Sequence, residues 1–565
     1  MENENEKSVN VAAESVELYP IETVADRVYD GQLDNVDGLQ RHLGNRQLQL
    51  IAIGGSIGTA TFVSISVGLL KGGPGSLLLA YTIYTCMLSL VNNCQAEMSS
   101  YMPVTGGFVR MSGKWVDEAL GFMVGWNFFL YEAILVPFEI TALNLVLSYW
   151  RDDIPDEAVV AGCIVLYFCI NAFAVTWYGE CEFWFAFGKV FLLTMLFSFT
   201  FITMVGGNPK HDAYGFRYWK HPGPFADHAV DGPLGRFEGF LAALWNAAFT
   251  VVGPEYVSMV AGEARRPRKY MKAAFKATYA RLGLFFIGSA LCVGIVIPHD
   301  ETTLIKILLG SADGAGTAAA SPYVIAMKNL GIEGLPHITN ALLVSSIFSA
   351  GNAYTYYGTR CLYGLAIENQ APCFLRKCTK TGVPINCLCV VMLFPFLAFL
   401  NASKGPRKVF IWLTNIITGA QVINYIVICI NFIFFYRACK TQGLDRRTLP
   451  YSGRFQPWSA YIPLVFLTCV AMCYGYTVFL PGYFSTEAFL TFYMMLLVDL
   501  VLFVGWKLWK KTKFVKASEA DLIWDKPIID AYENGLMGEH IGFWRDLGNM
   551  FGKGFMRSEK VDKEK

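Results

Sequence analysis

The sequence has few charged residues. Asp, Glu, Lys and Arg make up only 16% of its 565 residues, whereas soluble proteins carry about 25%. The formal net charge is +1, which indicates no class of partner, and the chain has no basic patch of the kind that binds nucleic acid. We therefore expect no nucleic-acid partner, and the shortage of charge argues against an ordinary soluble domain.

Motifs for metal binding and catalysis are also missing. The 15 cysteines form no CxxC pair and no Cys/His cluster with zinc spacing, and no nucleophile–base constellation is present. Most cysteines, such as Cys163 and Cys292, lie inside apolar runs, where thiols pack as small hydrophobic groups. We expect a protein that is not an enzyme and that needs no metal or cofactor.

The N-terminus lacks the features of a signal peptide. Residues 1–46 begin with an acidic stretch and contain no apolar core of the required length. The first apolar run is therefore expected to be an uncleaved anchor. Residues 1–46 and 508–565 are polar or charged, which predicts two solvated cytosolic tails around a membrane domain at 47–507.

Long apolar runs occupy most of the chain between the tails. A membrane helix needs about 20 mostly apolar residues, and twelve runs are of this kind. They lie near 48–70, 76–99, 119–148, 158–178, 183–205, 237–260, 275–298, 336–357, 384–400, 409–436, 459–480 and 487–507. Lys and Arg are denser in the loops that follow even-numbered runs, so the positive-inside rule puts both termini in the cytoplasm. The sequence predicts an all-α membrane protein with twelve transmembrane helices.

Glycines weaken the first predicted helix. Gly54, Gly55 and Gly58 fall within five residues, and each costs ~1 kcal/mol relative to Ala in a helix. Gly54 and Gly58 have the spacing of a close helix–helix contact. Alternatively, the helix is broken there, and free backbone N–H groups form a positive end that can hold a carboxylate. The first run alone does not decide between these interpretations.

The sixth run favours the broken-helix interpretation. Its middle reads Gly253-Pro254-Glu255, and a proline has no N–H and clashes with the preceding turn. The freed carbonyls must face protein or an aqueous cavity. Glu255 is a charge at membrane depth, which is costly and usually functional. Paired Gly/Pro-interrupted helices in two halves of a chain are a sequence signal for a central binding site.

Other ionisable groups also lie at membrane depth. Glu132 and Glu139 are seven residues apart in the third run and so share one helix face. Lys189 lies in the fifth run, where it is either functional or reaches the interface through its long side chain. Glu97 is near the inner end of the second run, where a structural ion pair is expected. Glu139 and Glu255 could contact a ligand, bind a proton or pair structurally.

Ordered motifs along the chain resemble those of the fungal amino-acid permeases, the yeast branch of the amino acid–polyamine–organocation superfamily. The resemblance extends from about Arg41 to about Glu533. The motifs are Arg41-His42-Leu43 before Gly54–Thr59, Pro103–Phe108, Gly125-Trp126-Asn127, Pro137–Ala142, Glu180–Trp184 with Lys189, Gly215–Trp219, Ala261–Arg268, Ser349–Asn352, Arg360–Ala366 and Leu449-Pro450-Tyr451.

The resemblance implies a fold and a mechanism. It implies a transport domain built as a five-plus-five inverted repeat, like that of the leucine transporter, with helices one and six broken around the substrate. It implies proton-coupled uptake of small amino-acid-like substrates across the plasma membrane by alternating access, with Lys189 as the proton-coupling residue. It also implies contacts with membrane lipid and with the ubiquitylation and endocytic machinery through tail lysines such as Lys7, Lys560, Lys563 and Lys565.

Substrate-binding residues follow from the same resemblance. We expect the N–H groups of Gly58, Thr59 and Ala60 to bind the substrate carboxylate. Carbonyls of the sixth helix would receive its ammonium group, with Phe249 as a thin gate. The full set of expected contacts is Gly58, Thr59, Ala60, Glu139, Phe249, Thr250, Val252, Gly253, Glu255 and Thr355, and the segment Thr418 to Asn424 is expected to contribute to side-chain selection.

The chain departs from the family pattern at three positions. Ala60 replaces a usual glycine, Pro254 stiffens the break in the sixth helix, and Glu132 replaces a frequent aromatic residue. An acid at position 132 could favour a cationic substrate. The stretches Pro254-Glu255-Tyr256 and Pro137-Phe138-Glu139-Ile140-Thr141 look nearest to the branch that includes permeases linked to carnitine and polyamines, so a permease of that type is an alternative. A nutrient sensor with the same fold is another, although sensors of this kind have longer N-terminal extensions than 46 residues.

Overall fold

The structure is a computed structural model of the chain. It describes residues 44–45, 48–50, 55–151, 153–173, 175–228, 230–309, 321–379, 382–400, 406–480 and 484–535. Regular structure in these ranges is helical, and no β-strand occurs within them. The prediction of an all-α protein is confirmed.

Apolar runs become helices throughout the described chain. The first helices are α1 (Ile65–Tyr101), α2 (Gly107–Trp115), α3 (Glu118–Leu147), α4 (Asp156–Phe173), α5 (Val175–Met204), α6 (Arg217–Lys220), α7 (Pro233–Thr250), α8 (Pro254–Met259) and α9 (Pro267–Arg281). They are followed by α10 (Gly288–Val296), α11 (Thr302–Leu309), α12 (Pro322–Asn329), α13 (Leu335–Ile367), α14 (Ile385–Val391), α15 (Pro406–Thr441), α16 (Trp458–Cys473), α17 (Thr486–Lys510) and α18 (Lys526–Gly535). Each of the twelve predicted runs contains part of an α-helix.

Six helical segments are long and apolar enough to cross a membrane, counted over the described residues. They are Ala60–Tyr101, Glu118–Leu147, Glu182–Met204, Pro267–Val296, Lys408–Thr441 and Thr486–Lys510. These segments make the chain a multi-pass membrane protein by length and composition. The full number of twelve spans stays a prediction.

The first two predicted helices are joined by a tight turn at Gly73. This residue has φ 77° and ψ 170° inside α1, and Pro74 follows it. A side chain at Gly73 would place its Cβ 2.8 Å from the carbonyl oxygen of Pro224. Glycine is therefore needed both for the positive φ and for the close approach of another backbone.

Three helices form the centre of the molecule. The helices α3 and α15 are largely buried inside the protein, and so is the middle of α13. Only a small part of the most apolar window of α17 is buried, and its Val501 and Leu508 are exposed. The central helices carry buried polar side chains such as Glu132, Asn352 and Asn424, whereas α17 presents the apolar surface of a peripheral membrane helix.

The C-terminal end of α1 is tied to the loop between α15 and α16 by polar contacts. Glu97 is fully buried and accepts hydrogen bonds of 2.6 and 2.8 Å from Arg446. It also accepts 2.8 Å from the backbone N–H of Gly453. The structural ion pair predicted for Glu97 is confirmed, and its partner belongs to the loop between α15 and α16.

The chain after α17 does not remain free in solvent. Trp115 donates to the carbonyl of Asp521 at 2.9 Å, and Tyr532 of α18 donates to the carbonyl of Arg265 at 3.0 Å. Glu533 accepts 3.0 Å from the backbone N–H of Arg268. The sequence predicted a solvated tail from residue 508, and within residues 512–535 several backbone and side-chain groups bond to neighbouring segments. Residues 1–43 and 536–565, with Lys7, Lys560, Lys563 and Lys565, lie outside the described residues.

Candidate substrate site

The sixth apolar run is broken at its centre. The helix α7 ends at Thr250, α8 begins at Pro254, and Val251 to Gly253 between them are not helical. The carbonyl oxygen of Val251 accepts a 3.3 Å hydrogen bond from Nε2 of Gln421 on α15. The predicted break is confirmed, and one carbonyl that it frees is satisfied by a side chain of a neighbouring helix.

The first apolar run is also interrupted. Residues 55–58 form turns and bends, and helical structure begins at Thr59. Tyr354 of α13 donates 2.9 Å to the carbonyl of Gly55. A Cβ built on Gly58 would lie 2.7 Å from Oε1 of Glu139 and 3.1 Å from Cβ of Ala350. The glycines therefore serve both predicted purposes, a break and a close approach, while Gly54 lies outside the described residues.

A small buried cavity lies between the two breaks. Its lining residues are Ser56, Gly58, Ala60, Tyr131, Leu135, Phe138, Glu139, Phe249, Thr250, Val252, Tyr354, Ile417 and Gln421. The free space is about 20 Å³, which is close to the minimum for one water molecule. An amino acid therefore requires movement of lining side chains or of the broken helices.

Aromatic side chains close the cavity toward the C-terminal end of α3. The ring of Phe138 lies 5.4 Å from that of Phe249 and 4.7 Å from that of Phe410, measured between centroids. Such tilted and edge-on pairs are favourable contacts between rings. Phe249 on α7, the predicted thin gate, is thus held in an aromatic layer with Phe138 on α3 and Phe410 on α15.

Tyrosines close the opposite side of the cavity. The hydroxyl groups of Tyr131 and Tyr256 are 3.0 Å apart, and the ring of Tyr256 lies 4.9 Å from that of Tyr357. A Cβ on Gly55 would lie 3.0 to 3.1 Å from these last two rings. The first helix can approach the tyrosines this closely only because residue 55 has no side chain.

The side chain of Glu139, on α3, reaches the start of the first predicted membrane helix at Thr59. Its Oε2 accepts a 2.5 Å hydrogen bond from Oγ1 of Thr59, and its carboxylate also interacts with the backbone N–H of Thr59. This helix end is where the sequence predicted a substrate carboxylate. The described arrangement thus has a protein carboxylate at the predicted anion-binding turn, held by charge-assisted hydrogen bonds.

Lys189 lies in a buried group of charges behind Glu139. Its side chain is 1% exposed, and the carboxylates of Glu182 and Glu139 both act on its charge. Glu182 itself accepts 3.0 Å from Oγ of Ser349 on α13. The alternative in which Lys189 reaches the membrane surface does not fit this burial, since a side chain extending to the interface would be exposed.

Four of the predicted contacts do not line the cavity, namely Thr59, Gly253, Glu255 and Thr355. Glu255 accepts 2.8 Å from Tyr425 of α15 and 3.1 Å from the backbone N–H of Gly253. It therefore caps α8 and links it to α15. Thr355 donates to the carbonyl of Gly351 in its own helix at 2.9 Å, and the cavity is lined by the preceding Tyr354 instead.

Glu132 has no hydrogen-bond partner among the described residues for either carboxylate oxygen. Its side chain is fully buried and faces α13, where a Cβ on Gly358 would lie 3.4 Å from its own Cβ. Leu135, one turn later in α3 and nearer the aromatic layer, lines the cavity, whereas Glu132 does not. The acid that suggested a cationic substrate is thus beside the site rather than in it.

Sequence reasoning missed the tyrosines and Phe138. Tyr131, Tyr354 and Phe138 all line the cavity, yet aromatic residues in apolar runs are usually packing groups or interface anchors. Gln421 falls in the segment that was expected to contribute to selection. The sequence gives no separate signal for Phe138, since the side chains of neighbouring helix residues point about 100° apart.

Comparison with known proteins shows the family of the chain. Residues 47–519 match the family model described as amino acid permease. The chain is 42% identical to the general amino acid permease AGP2 of Saccharomyces cerevisiae over 87% of this chain and 84% of the relative. It is 36% identical to the proline-specific permease of Emericella nidulans, over 89% and 92% of the two chains. It is also 36% identical to the dicarboxylic amino acid permease of Saccharomyces cerevisiae, over 90% and 83%. The chain therefore belongs to the amino acid permease family, a family of membrane transporters for amino acids.

Proposed function

We propose that the chain takes up amino acids across the plasma membrane by proton-coupled alternating access. In this proposal twelve helices span the membrane, both termini are cytoplasmic, and the first ten helices form two inverted repeats. Two observations support a central site, namely the interruption at residues 55–58 and the break at residues 251–253 around one cavity. Broken helices of this kind supply backbone groups for substrate and coupling ion in repeat-based transporters.

The hydrogen bond between Thr59 and Glu139 carries the proposal for substrate binding. A turn that holds one carboxylate at 2.5 Å has the geometry and the positive helix end to hold another. The substrate carboxylate would bind the N–H groups of Gly58, Thr59 and Ala60 after Glu139 moves or loses its charge. The substrate ammonium would face Glu139 and the carbonyls of residues 249–252.

Lys189 is proposed to couple proton entry to this exchange. Its charge acts on Glu139, and Glu139 is bonded to the first turn of helix one. A change between charged and neutral Lys189 would alter how strongly Glu139 is held at Thr59. Proton binding and helix-one closure would then be linked through two side chains.

The aromatic layers are proposed to act as gates. Phe249 in the layer with Phe138 and Phe410 would be the thin outer gate. The tyrosines around Tyr256 would close the inner path. Opening one layer while the other remains packed is the requirement of alternating access.

The substrate within the amino-acid class is not indicated by the relatives, whose names refer to general, proline-specific and dicarboxylic permeases. A cationic substrate of the carnitine or polyamine type is the alternative. Its support is the presence of three buried acids, Glu132, Glu139 and Glu255, near the cavity. A nutrient sensor with the same fold is the remaining alternative.

We further propose that the protein is removed from the membrane after ubiquitylation of lysines in its two tails.

The test is uptake of a radiolabelled panel in permease-deficient yeast at acidic and neutral pH. The panel is proline, leucine, glutamate, arginine, carnitine and spermidine. We expect concentrative uptake of at least one amino acid, stronger at acidic pH and lost with a protonophore. Absence of uptake, with the protein confirmed at the cell surface, would contradict transport and favour a sensor.

The coupling role of Lys189 has its own variant. Lys189→Ala should abolish uphill uptake while exchange of labelled for unlabelled substrate continues, because binding and helix movement do not need the proton. Lys440→Ala, at an exposed position near the end of α15, is the matched control and should behave as the parent chain. Concentrative uptake by Lys189→Ala with unchanged pH dependence would overturn the assignment.

A further inference from the structure

A second, larger cavity is a groove away from the substrate site. It lies between α1, α9 and the loop that joins α15 to α16, and it has a volume of about 660 Å³. Four basic side chains line it, Lys272, Lys276, Arg447 and Arg454, and no acidic side chain does. Basic residues of the helix α9 and of the loop between α15 and α16 are thus brought together around one space.

The cations of this groove lack acidic partners among the residues that the structure describes. None of the four appears in an ion pair there. The nearby acid Glu97 is fully buried and held by Arg446. Lys272 donates 2.8 Å to the carbonyl of Pro450 and so braces the wall. Four uncompensated positive charges around one space favour an anion with more than one negative charge.

The floor of the groove is polar and ordered. Tyr451 donates 3.0 Å to Oδ1 of Asn93, and Tyr279 lies 3.4 Å from both Asn93 Oδ1 and the hydroxyl of Tyr451. The amide nitrogen of Asn93 donates to the carbonyl of Arg454 at 2.7 Å and to Oγ of Ser459 at 3.2 Å, so both of its N–H groups are used within the floor. The floor thus fixes the loop that carries two of the cations, and the groove attracts an anion through its positive charge.

Exposed aromatic residues put the groove at the membrane surface. Phe455 lines it and is 80% exposed, and Trp458 three residues later is 65% exposed. Aromatic side chains in such positions are typical of the membrane–water interface. Basic pockets between transmembrane helices at the cytoplasmic surface are suited to anionic lipid headgroups. The aromatic rim therefore favours a lipid over a soluble phosphate compound.

We propose that this groove binds the headgroup of a polyanionic phospholipid, of the class of phosphorylated inositol lipids, in the cytoplasmic leaflet. The choice of leaflet rests on the orientation given under the proposed function. A zwitterionic headgroup would bring its own ammonium group among four cations, which is unfavourable. The lipid would connect α9 to the loop before α16, because Lys272 and Lys276 come from the former and Arg447 and Arg454 from the latter.

The experiment measures lipid retention by the purified full chain in detergent, using native mass spectrometry. The probes are phosphatidylinositol 4-phosphate, phosphatidylcholine with the same acyl chains, and the soluble headgroup glycerophosphoinositol 4-phosphate. The parent chain should retain the inositol lipid and neither of the other two. Equal retention of phosphatidylcholine, or full competition by an equimolar amount of the soluble headgroup, would overturn the proposal.

Variants assign the retention to the groove. Lys276→Ala, Arg447→Ala and Arg454→Ala combined should weaken retention about 100-fold, since each cation near a membrane surface contributes roughly fivefold. The control combines Lys377→Ala, Lys440→Ala and Lys513→Ala, which removes the same charge from exposed positions outside the groove and should leave retention unchanged. A charge-conserving set, Lys276→Arg, Arg447→Lys and Arg454→Lys, should retain the lipid.

Equal losses in both triple-alanine variants would overturn the site, because they would indicate a general charge effect. Retention does not depend on transport, so a chain that retains the lipid but takes up no substrate would contradict only the proposed function.

Discussion

Thr59 Oγ1 donates a 2.5 Å hydrogen bond to Oε2 of Glu139, across 80 residues of sequence. The bond joins the first turn of the first predicted membrane helix, which begins at Thr59 ahead of α1, to the central helix α3. Both side chains are buried, so this contact is sheltered from solvent and stronger than a surface hydrogen bond. The start of helix one cannot move away from α3 without breaking it.

Glu139→Gln should lower concentrative uptake at least about tenfold, because a hydrogen bond to a charged group contributes roughly 1.5–3 kcal/mol. The amide can still accept from Thr59, but it carries no charge for Lys189 to act on. Exchange of labelled for unlabelled substrate should therefore be less affected than accumulation. The measurement is uptake and exchange in the same permease-deficient cells.

The control for this variant is Glu487→Gln, which removes an exposed carboxylate from an ion pair with Lys408. It should accumulate substrate as the parent chain does. If Glu139→Gln also accumulates substrate with the parent pH dependence, the carboxylate of Glu139 has only a structural role.

Gly58→Ala should abolish uptake while the protein still reaches the cell surface. The added Cβ would lie 2.7 Å from Oε1 of Glu139 and 3.1 Å from Cβ of Ala350, which forces the first turn of helix one away from α3 and α13. Radiolabelled uptake, normalised to surface protein, measures the effect.

Gly419→Ala is the matched control for Gly58→Ala. Its Cβ would lie 3.7 Å from the carbonyl oxygen of Phe492 and 3.8 Å from Cβ of Met495, which are ordinary contacts. It should keep full uptake, and the α15 helix should gain up to about 1 kcal/mol from the better helix former. Normal uptake by Gly58→Ala would mean that the close approach to Glu139 is not part of the working cycle.

The positions of the helices could be predicted from the sequence better than the residues that each helix turns toward its neighbours. Length and apolar character place the runs, and Pro254 marks the break between α7 and α8 because its ring cannot continue a helix. The turn at Gly73, which has a positive φ, falls in the gap predicted between the first two apolar runs, at 48–70 and 76–99. A contact such as Thr59 with Glu139 depends on packing of distant segments, which local sequence does not encode.

The site residues illustrate the same limit. Thr355 was expected in the site, whereas Tyr354 lines the cavity. One residue in an α-helix turns the side chain by about 100°, so a prediction that is correct in depth can choose the wrong face. Glu139 and Phe249 were predicted as contacts because charge and proximity to a break are visible in the sequence, and both line the cavity.

Glu132→Gln should leave substrate preference unchanged. Glu132 faces α13 beside Gly358 and does not line the cavity, and glutamine has nearly the same shape. We expect the ratio of arginine to leucine uptake to stay within about twofold of the parent ratio, since a lost direct charge contact would cost tenfold or more. Glu139→Gln measured on the same pair is the comparison from inside the cavity. A selective loss of arginine and spermidine uptake in Glu132→Gln would support a cationic substrate held by this acid.

A buried ion pair lies at the exit from the sixth predicted helix. Glu263 follows α8 and is bonded to Arg360 of α13 at 2.8 Å, with both side chains about 4% exposed. Tyr356 donates a further 2.6 Å hydrogen bond to the same carboxylate. Removing one member of a buried ion pair typically costs about 3–5 kcal/mol, because the other charge is left buried without a partner.

Arg360→Ala should therefore lower the thermal unfolding midpoint of the purified protein strongly, and Tyr356→Phe should lower it less. Replacing both charges, as Arg360→Met with Glu263→Leu, should recover part of the loss because no unpaired charge remains. The exposed pair of Lys516 with Glu519 is the control, since Lys516→Ala should cost less than about 1 kcal/mol. If Arg360→Ala and Lys516→Ala have the same midpoint, the buried pair does not hold α8 against α13, and the exit from the sixth helix must be fixed by apolar packing alone.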